Sequence, residues 1–211
     1  MAEQQNILVI LGHPTANSLC AGMARAYADG AQQAGAKVRF LDVGQLAFNP
    51  LFQGYGAVQP LEPDLLAAQA DISWAHHLVW VYPIWWGAMP ALLKGFIDRV
   101  LLSGYAFKYR KGSSLWDKLL TGRSAELLVT MDSPPWYFRW VTRMPGHHQM
   151  KKAILEFCGI RPVQVHSFGP VRSASTERLA QWVEKARQLG LRQGARSAPG
   201  KPRPAPVTSS P

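Results

Sequence analysis

The chain changes hydrophobic period repeatedly along its length. Asn6–Leu11 (NILVIL) is an unbroken apolar run of strand length, the pattern of a strand covered on both faces. Ser18–Gly35 then carries Leu19, Met23 and Tyr27 at helical spacing among alanines, with Gly35 placed to end the helix. Ala36–Asp42 alternates as a second strand. Gly44–Pro60, with several Gly and Pro, has no period and predicts an excursion. Beyond it the pattern predicts a helix over Pro63–Trp74, a strand over His77–Tyr82 and a helix over Pro90–Leu102. An irregular aromatic and basic loop over Gly104–Gly122 follows, then a strand over Ala125–Met131 and a loop over DSPPWYFRW. The last elements are a helix over Pro145–Cys158 closed by Gly159, a strand over Pro162–Phe168 and a helix over Thr176–Leu191.

Strands that alternate with helices form a parallel sheet buried on both faces, here a three-layer α/β sandwich of five strands in the order 2-1-3-4-5. Such sheets bind ligands beyond the carboxyl ends of their strands, at the topological switch point. In this chain those ends are His13–Ser18, Pro83–Ala88 and Thr130–Tyr137.

Composition narrows the picture further. A chain of 211 residues with 47% hydrophobic content can bury a core without disulfides or metal. One domain is expected over residues 1–193. Residues 194–211 (GARSAPGKPRPAPVTSSP) have little apolar bulk and predict a disordered basic tail. No apolar run reaches membrane-span length, and the N-terminus lacks the basic region of a signal peptide, so the cytoplasm is the expected location. Cys20 and Cys158 have no CxxC partner, which leaves dithiol chemistry and zinc poorly supported. Adjacent His147 and His148, with no flanking acid, make no metal site. The net charge of +10 is concentrated in part at the end, where Arg187, Arg192, Arg196, Lys201 and Arg203 follow the last acid, Glu184. A basic surface attracts nucleic acid, anionic membrane or phosphate-bearing cofactors without choosing among them. No nucleic-acid-binding motif accompanies it, so a nucleic-acid partner is not expected.

Three loops carry the candidate chemistry. Gly12–Ser18 (GHPTANS) leads a strand into a helix, where free N–H groups and the helix dipole suit a phosphate; His13, Thr15, Asn17 and Ser18 add donors. The stretch lacks GxGxxG and the Walker lysine, and helix capping by Asn17 or Ser18 would account for it as well. Trp85 and Trp86, adjacent on a strand-to-helix loop before Gly87, can wall a planar heterocycle while the backbone hydrogen-bonds its edge. They can equally fill the space between sheet and helix, or a subunit interface. Thr130–Phe138 (TMDSPPWYF) ends a strand with Thr130 and Asp132, stiffens with Pro134 and Pro135, and offers Trp136, Tyr137 and Phe138 either as a lid or as a face for a second subunit.

These motifs together resemble the flavodoxin-like NAD(P)H:quinone oxidoreductase family, which includes quinone reductases, modulators of drug activity and ancillary reductases of potassium-efflux systems. The resemblance rests on GHPTANS, YPIWW, PALLKGFIDRV, GYAFKY (Gly104–Tyr109) and LEFCGI, and covers residues 6–192. It implies a flavin, FMN or FAD, whose phosphate is held by His13, Asn17, Ser18 and Leu19. Pro83, Ile84, Trp85, Trp86 and Gly87 would line the ring, and Thr130, Asp132 and Ser133 its other edge. Many relatives have T-T-G-G where this chain has Thr130-Met131-Asp132-Ser133, which alters the backbone path there. The resemblance further implies ping-pong hydride transfer from NADH or NADPH to a quinone-like acceptor, with Tyr137 or His147 as hydrogen-bond donor, and a homodimer. Asp98 and Arg99 are expected in structural ion pairs. Two rivals remain. An electron-transfer flavodoxin is usually acidic and fits a +10 chain badly. An ancillary subunit of a membrane transporter would use the basic surface and WYFRWVTR to meet a membrane or partner.

Overall fold

The computed structural model describes residues 4–54 and 59–198. Most of the expected tail, and residues 55–58 of the excursion, lie outside the described residues. The central sheet is built from β1 (Asn6–Leu11), β2 (Lys37–Asp42), β3 (His77–Pro83), β6 (Ser124–Thr130) and β7 (Val163–Phe168). Their order is β2-β1-β3-β6-β7, and every pairing is parallel. With its flanking helices this is the flavodoxin-like α/β fold that the periodicity predicts, with the order 2-1-3-4-5 once the two strands outside the sheet are set aside.

Helices α1 (Leu19–Gln33) and α7 (Thr176–Gly194) cover one face; α2 (Pro63–Trp74) and α3 (Ala91–Val100) cover the other. The α1–α7 contact is backbone on backbone. A Cβ at Gly190 would lie 2.1 Å from the Tyr27 carbonyl oxygen, one at Gly30 2.2 Å from that of Arg187, and one at Gly194 2.4 Å from that of Ala31. On the other face Arg99, 1% exposed, donates to Glu62 Oε2 (2.8 Å) and to the carbonyls of Asn49 (2.6 Å) and Pro60 (2.9 Å), which pins the excursion to α3. Lys94 and Asp98 pair one turn apart on the same helix.

Three segments differ from the sequence reading. The stretch expected as an irregular loop contains an antiparallel hairpin, β4 (Phe107–Tyr109) with β5 (Trp116–Lys118). Strands of three residues are too short to display alternation; this pair is fixed instead by Arg110–Asp117 and by the Trp116 ring stacked on Phe157 at 4.4 Å. The loop DSPPWYFRW contains a short helix, α4 (Pro135–Trp140), begun by proline at its first position. The expected helix Pro145–Cys158 forms as α5 (Pro145–His148), a π-helical segment Gln149–Leu155 and α6 (Glu156–Cys158). The wider turn brings Met150 and Leu155, five residues apart, both into the core. Among the described residues no helix is long and apolar enough to cross a membrane.

Candidate functional site

The loops after β1, β3, β6 and β7 meet at the carboxyl edge of the sheet. The first begins at Gly12, whose N–H donates to the Val81 carbonyl (2.8 Å). A Cβ at Gly12 would come within 2.5 Å of Leu93, and one at Gly44 within 2.8 Å of the Pro14 carbonyl oxygen, so this loop is gripped from both sides. His13 Nδ1 lies 3.1 Å from both the N–H and the carbonyl oxygen of Thr15 and 3.0 Å from its Oγ1, which anchors that edge of the ring within the loop. Ser18 is the N-cap of α1; its Oγ accepts from the Ala21 N–H at 3.2 Å. Capping by Ser18 therefore does occur. It leaves the N–H groups of Leu19 and Cys20 without intrahelical partners, and no acid in the first turn of α1 opposes them.

The second loop is a tight reversal. The Trp85 N–H donates to the Ala88 carbonyl (2.8 Å) and the Ala88 N–H to the Trp85 carbonyl (3.0 Å), with Trp86 at φ 51° and Gly87 at φ 78° between them. Two positive φ values make this a type I′ turn, a geometry that suits Gly87 and strains Trp86. The turn separates the two indoles. Trp85 stands edge-on to His13 at 5.6 Å, whereas Trp86 projects fully into solvent. The start of α5 supports the turn from behind, since a Cβ at Gly146 would lie 2.7 Å from the Gly87 carbonyl oxygen.

The third and fourth loops are tied together. The Met131 carbonyl accepts from the Val171 N–H (3.0 Å), and Asp132 Oδ1 accepts from the Arg172 N–H (2.9 Å). Between all four loops lies a cleft of about 200 Å³. Of the expected residues, His13, Ser18, Leu19, Pro83, Ile84, Trp85, Thr130 and Asp132 line it. Cys20, Met131 and Val171 line it as well and were not anticipated. Val171 follows the fifth sheet strand, so the rule that drew attention to three strand ends applied to a fourth. Cys20 belongs to the helical period of α1 and gave no separate signal. Its Sγ sits 3.3 Å from Thr130 Oγ1, and burial pushes the thiol up to about 11, so it stays protonated and unreactive.

Asn17, Trp86, Gly87, Ser133, Tyr137 and His147 are not on the cleft wall. Asn17 and Trp86 face solvent. Tyr137 is on the exposed side of α4, edge-on to Trp136 at 5.9 Å. His147 is buried behind α4, edge-on to Phe138 at 5.0 Å, with Nε2 2.8 Å from Ser167 Oγ. Burial, and then the neighbouring His148, lower its pKa to about 4, so the ring is neutral near pH 7. Tyr137 and His147 thus stand on opposite sides of α4, and neither of these two alternatives for a hydrogen-bond donor lines the cleft. Among the described residues, no group of three or more His, Cys, Asp or Glu is placed to hold a metal.

A family model described as having a flavodoxin-like fold matches residues 5–189. A protein of Haemophilus influenzae named an uncharacterized NAD(P)H oxidoreductase is 29% identical over 189 residues, covering 87% of this chain and 93% of that protein. The ribosyldihydronicotinamide dehydrogenase [quinone] of Rattus norvegicus is 32% identical over 143 residues, which cover 61% of this chain and 58% of the rat enzyme. The match therefore spans little more than half of that relative. Among solved structures, that of Smu.1420 from Streptococcus mutans UA159 superposes with a TM-score of 0.75 at 26% identity, over 89% of this chain and all of that one.

Proposed function

We propose, from the premise that the chain belongs to the flavodoxin-like NAD(P)H:quinone oxidoreductase family, that its carboxyl-edge cleft holds a flavin and reduces quinone-like acceptors with NADH or NADPH. One observation carries this reading: the acid-free N-terminus of α1 opens onto the same cleft as the Trp85 indole. A phosphate and a flat ring need these two features side by side. The donor set fits the group. The N–H groups of Leu19 and Cys20, which have no intrahelical partner, the Ser18 hydroxyl and the His13 ring can bind a phosphate, and the helix dipole favours its charge. Pro83, Ile84 and Trp85 give the ring an apolar wall, and Thr130 faces it from the neighbouring strand. A flavin supplies hydride exchange between a nicotinamide and an acceptor.

The residues of the chain then have limited tasks. Trp85 excludes water from one side of the ring. Thr15 holds the Nδ1 edge of His13, so that the Nε2 edge of the ring is the one left to meet a ligand. The loop after β7 braces Met131 and Asp132, and Asp132, with Ser133, stands where many relatives have glycines. Cys20 takes no part in electron transfer, because its thiol is protonated and has no partner cysteine. Donor and acceptor share one open cleft and must bind in turn, which makes the kinetics ping-pong. The reading places the enzyme in the cytoplasm, where its nicotinamide donor is supplied, and makes it a homodimer that covers the exposed aromatics near the cleft.

Purification without any flavin spectrum, even after reconstitution, would contradict this reading. Chromatography of the released flavin distinguishes FMN from FAD, and titration with NADH and NADPH identifies the donor. Initial rates at several acceptor concentrations should give parallel double-reciprocal lines, and intersecting lines would exclude the ping-pong order. An electron-transfer flavodoxin would show no sustained NAD(P)H oxidation. A second reading, docking on a membrane or transporter, is favoured by α4, which presents Trp136 (64% exposed) and Trp140 (73%) beside Arg139. Co-sedimentation with anionic vesicles tests it.

A further inference from the structure

The sheet face beneath α1 and α7 is apolar along most of its length and turns polar towards its amino end. There β6 supplies Glu126, 4% exposed, and β7 supplies Gln164 and His166. The last turn of α7 and the residues just beyond it lay Arg192, Gln193 and Arg196 across them, enclosing a pocket of about 190 Å³. Glu126 and Gln193 are buried, whereas Arg192 and Arg196 stand exposed at the mouth.

The polar atoms of this pocket are under-used. Tyr27 donates to one oxygen of Glu126 at 3.1 Å. Gln193 donates through Nε2 to Gln5 at 3.2 Å, but its Oε1 is buried with no partner among the described residues, and so is His166 Nε2. Among the described residues neither Arg192 nor Arg196 has an ion pair. Buried polar atoms without partners are uncommon in folded proteins and call for an explanation. Two like charges four residues apart at the end of a helix also carry a cost unless an anion bridges them.

The charge layout selects a ligand class. A simple anion drawn to the arginines would face the Glu126 carboxylate. A simple cation drawn to Glu126 would have to pass two guanidiniums. A molecule with both charges satisfies both ends. We propose that this pocket binds a small zwitterion of the α-amino-acid type, with its carboxylate between Arg192 and Arg196 and its ammonium towards Glu126 and Gln193 Oε1. Glu126 lies four residues before Thr130 on the same strand, about 13 Å away at strand rise. Occupancy of the pocket therefore leaves the carboxyl-edge cleft free.

Isothermal titration of the full-length protein with glycine, L-alanine, L-serine and L-glutamate, and with acetate and methylamine as single-charge probes, tests the assignment. At least one amino acid should bind, at least about tenfold more tightly than acetate or methylamine, and should raise Tm. Arg192→Gln and Arg196→Gln should each weaken it by about tenfold or more, the expected loss of a charge-assisted hydrogen bond, while the protein's flavin content stays unchanged. Glu126→Gln should do the same. If that buried substitution unfolds the chain, the two exposed arginine variants decide the matter. Failure of every amino acid to bind, acetate binding as tightly as the best amino acid, or arginine variants that bind like wild type would each overturn the proposal.

Discussion

The α1–α7 seam and the Trp85–Ala88 turn use glycine and backbone in opposite ways. At the seam, Gly30, Gly190 and Gly194 let two helices touch main chain to main chain, in a layer where nothing can yield. At the turn, a non-glycine residue, Trp86, occupies a conformation that favours glycine, and its side chain touches solvent only. The seam is what stability alone would select. The turn keeps a local cost that packing within this chain does not offset, the signature of a site shaped for something outside it.

Gly190→Ala should be the most damaging. Its Cβ would lie 2.1 Å from the Tyr27 carbonyl oxygen, which is helix backbone and cannot rotate away. We expect a loss of about 2–3 kcal/mol despite the better helix propensity of alanine, read as a lower Tm and denaturation midpoint. Gly22→Ala, on the α1 side of the same seam, is the control. Its Cβ would meet only Val183 at an ordinary 3.8 Å, so Tm should rise, by up to about 1 kcal/mol in stability. Equal losses in the two variants would show that the seam is not specially tight.

Acid pH should weaken both regions through buried rings. His77, beneath α1 with Nδ1 2.7 Å from Ser124 Oγ, is lowered by burial to about 3, and His147, behind α4, to about 4. Both folded values lie below the ordinary value of about 6.5, so the unfolded chain takes up protons first. Their contribution is complete above pH 6.5. It is lost as pH falls towards 4 for His147 and towards 3 for His77, by at most about 1.4 kcal/mol per pH unit for each ring. Tm should therefore fall from pH 7 to pH 4, and His147→Gln should make that whole decline shallower. A Tm constant over this range would contradict the burial of both rings.

Ser18→Ala tests the cleft side more gently. It removes the cap that accepts from the Ala21 N–H, at a cost of about 1 kcal/mol. If the same hydroxyl faces a phosphate, flavin should also dissociate about tenfold more readily in a fluorescence titration. A drop in Tm with unchanged flavin affinity would leave Ser18 a cap and nothing more.

The same contrast explains what the sequence made legible. Long periodic segments were clear: β1 occupies the predicted residues, and the parallel order followed from strands alternating with helices. The β4–β5 hairpin and α4 were missed because three- and six-residue elements are fixed by tertiary partners such as Phe157, not by a period of their own. At the carboxyl edge, the expected residues that line the cleft are those on strand ends and at the helix cap, because the fold rule locates them. The rule gives a residue's position along the loop but not the direction of its side chain. That is why Trp85 and Trp86 read alike in sequence and diverge in the structure, and why His147 looked available when it packs against Phe138.

The smallest effect on stability is expected at Trp86 itself. Glycine there would relieve a left-handed strain of about 1 kcal/mol, but it would also give the unfolded chain more freedom, worth about 0.5–1 kcal/mol. The two nearly cancel, so Trp86→Gly should shift Tm by only a degree or two in either direction. The functional consequence should be larger. The indole is fully exposed and follows Trp85, which lines the cleft, so the contacts open to it are with an acceptor or a second subunit. Steady-state kinetics should show a higher KM for the acceptor, or sedimentation should show weaker self-association, at nearly unchanged Tm. A variant with wild-type KM and wild-type association would mean that the strained turn serves neither. Its conformation would then have to be attributed to Gly146 pressing on the Gly87 carbonyl from behind, a packing constraint within the chain of the same kind as the α1–α7 seam.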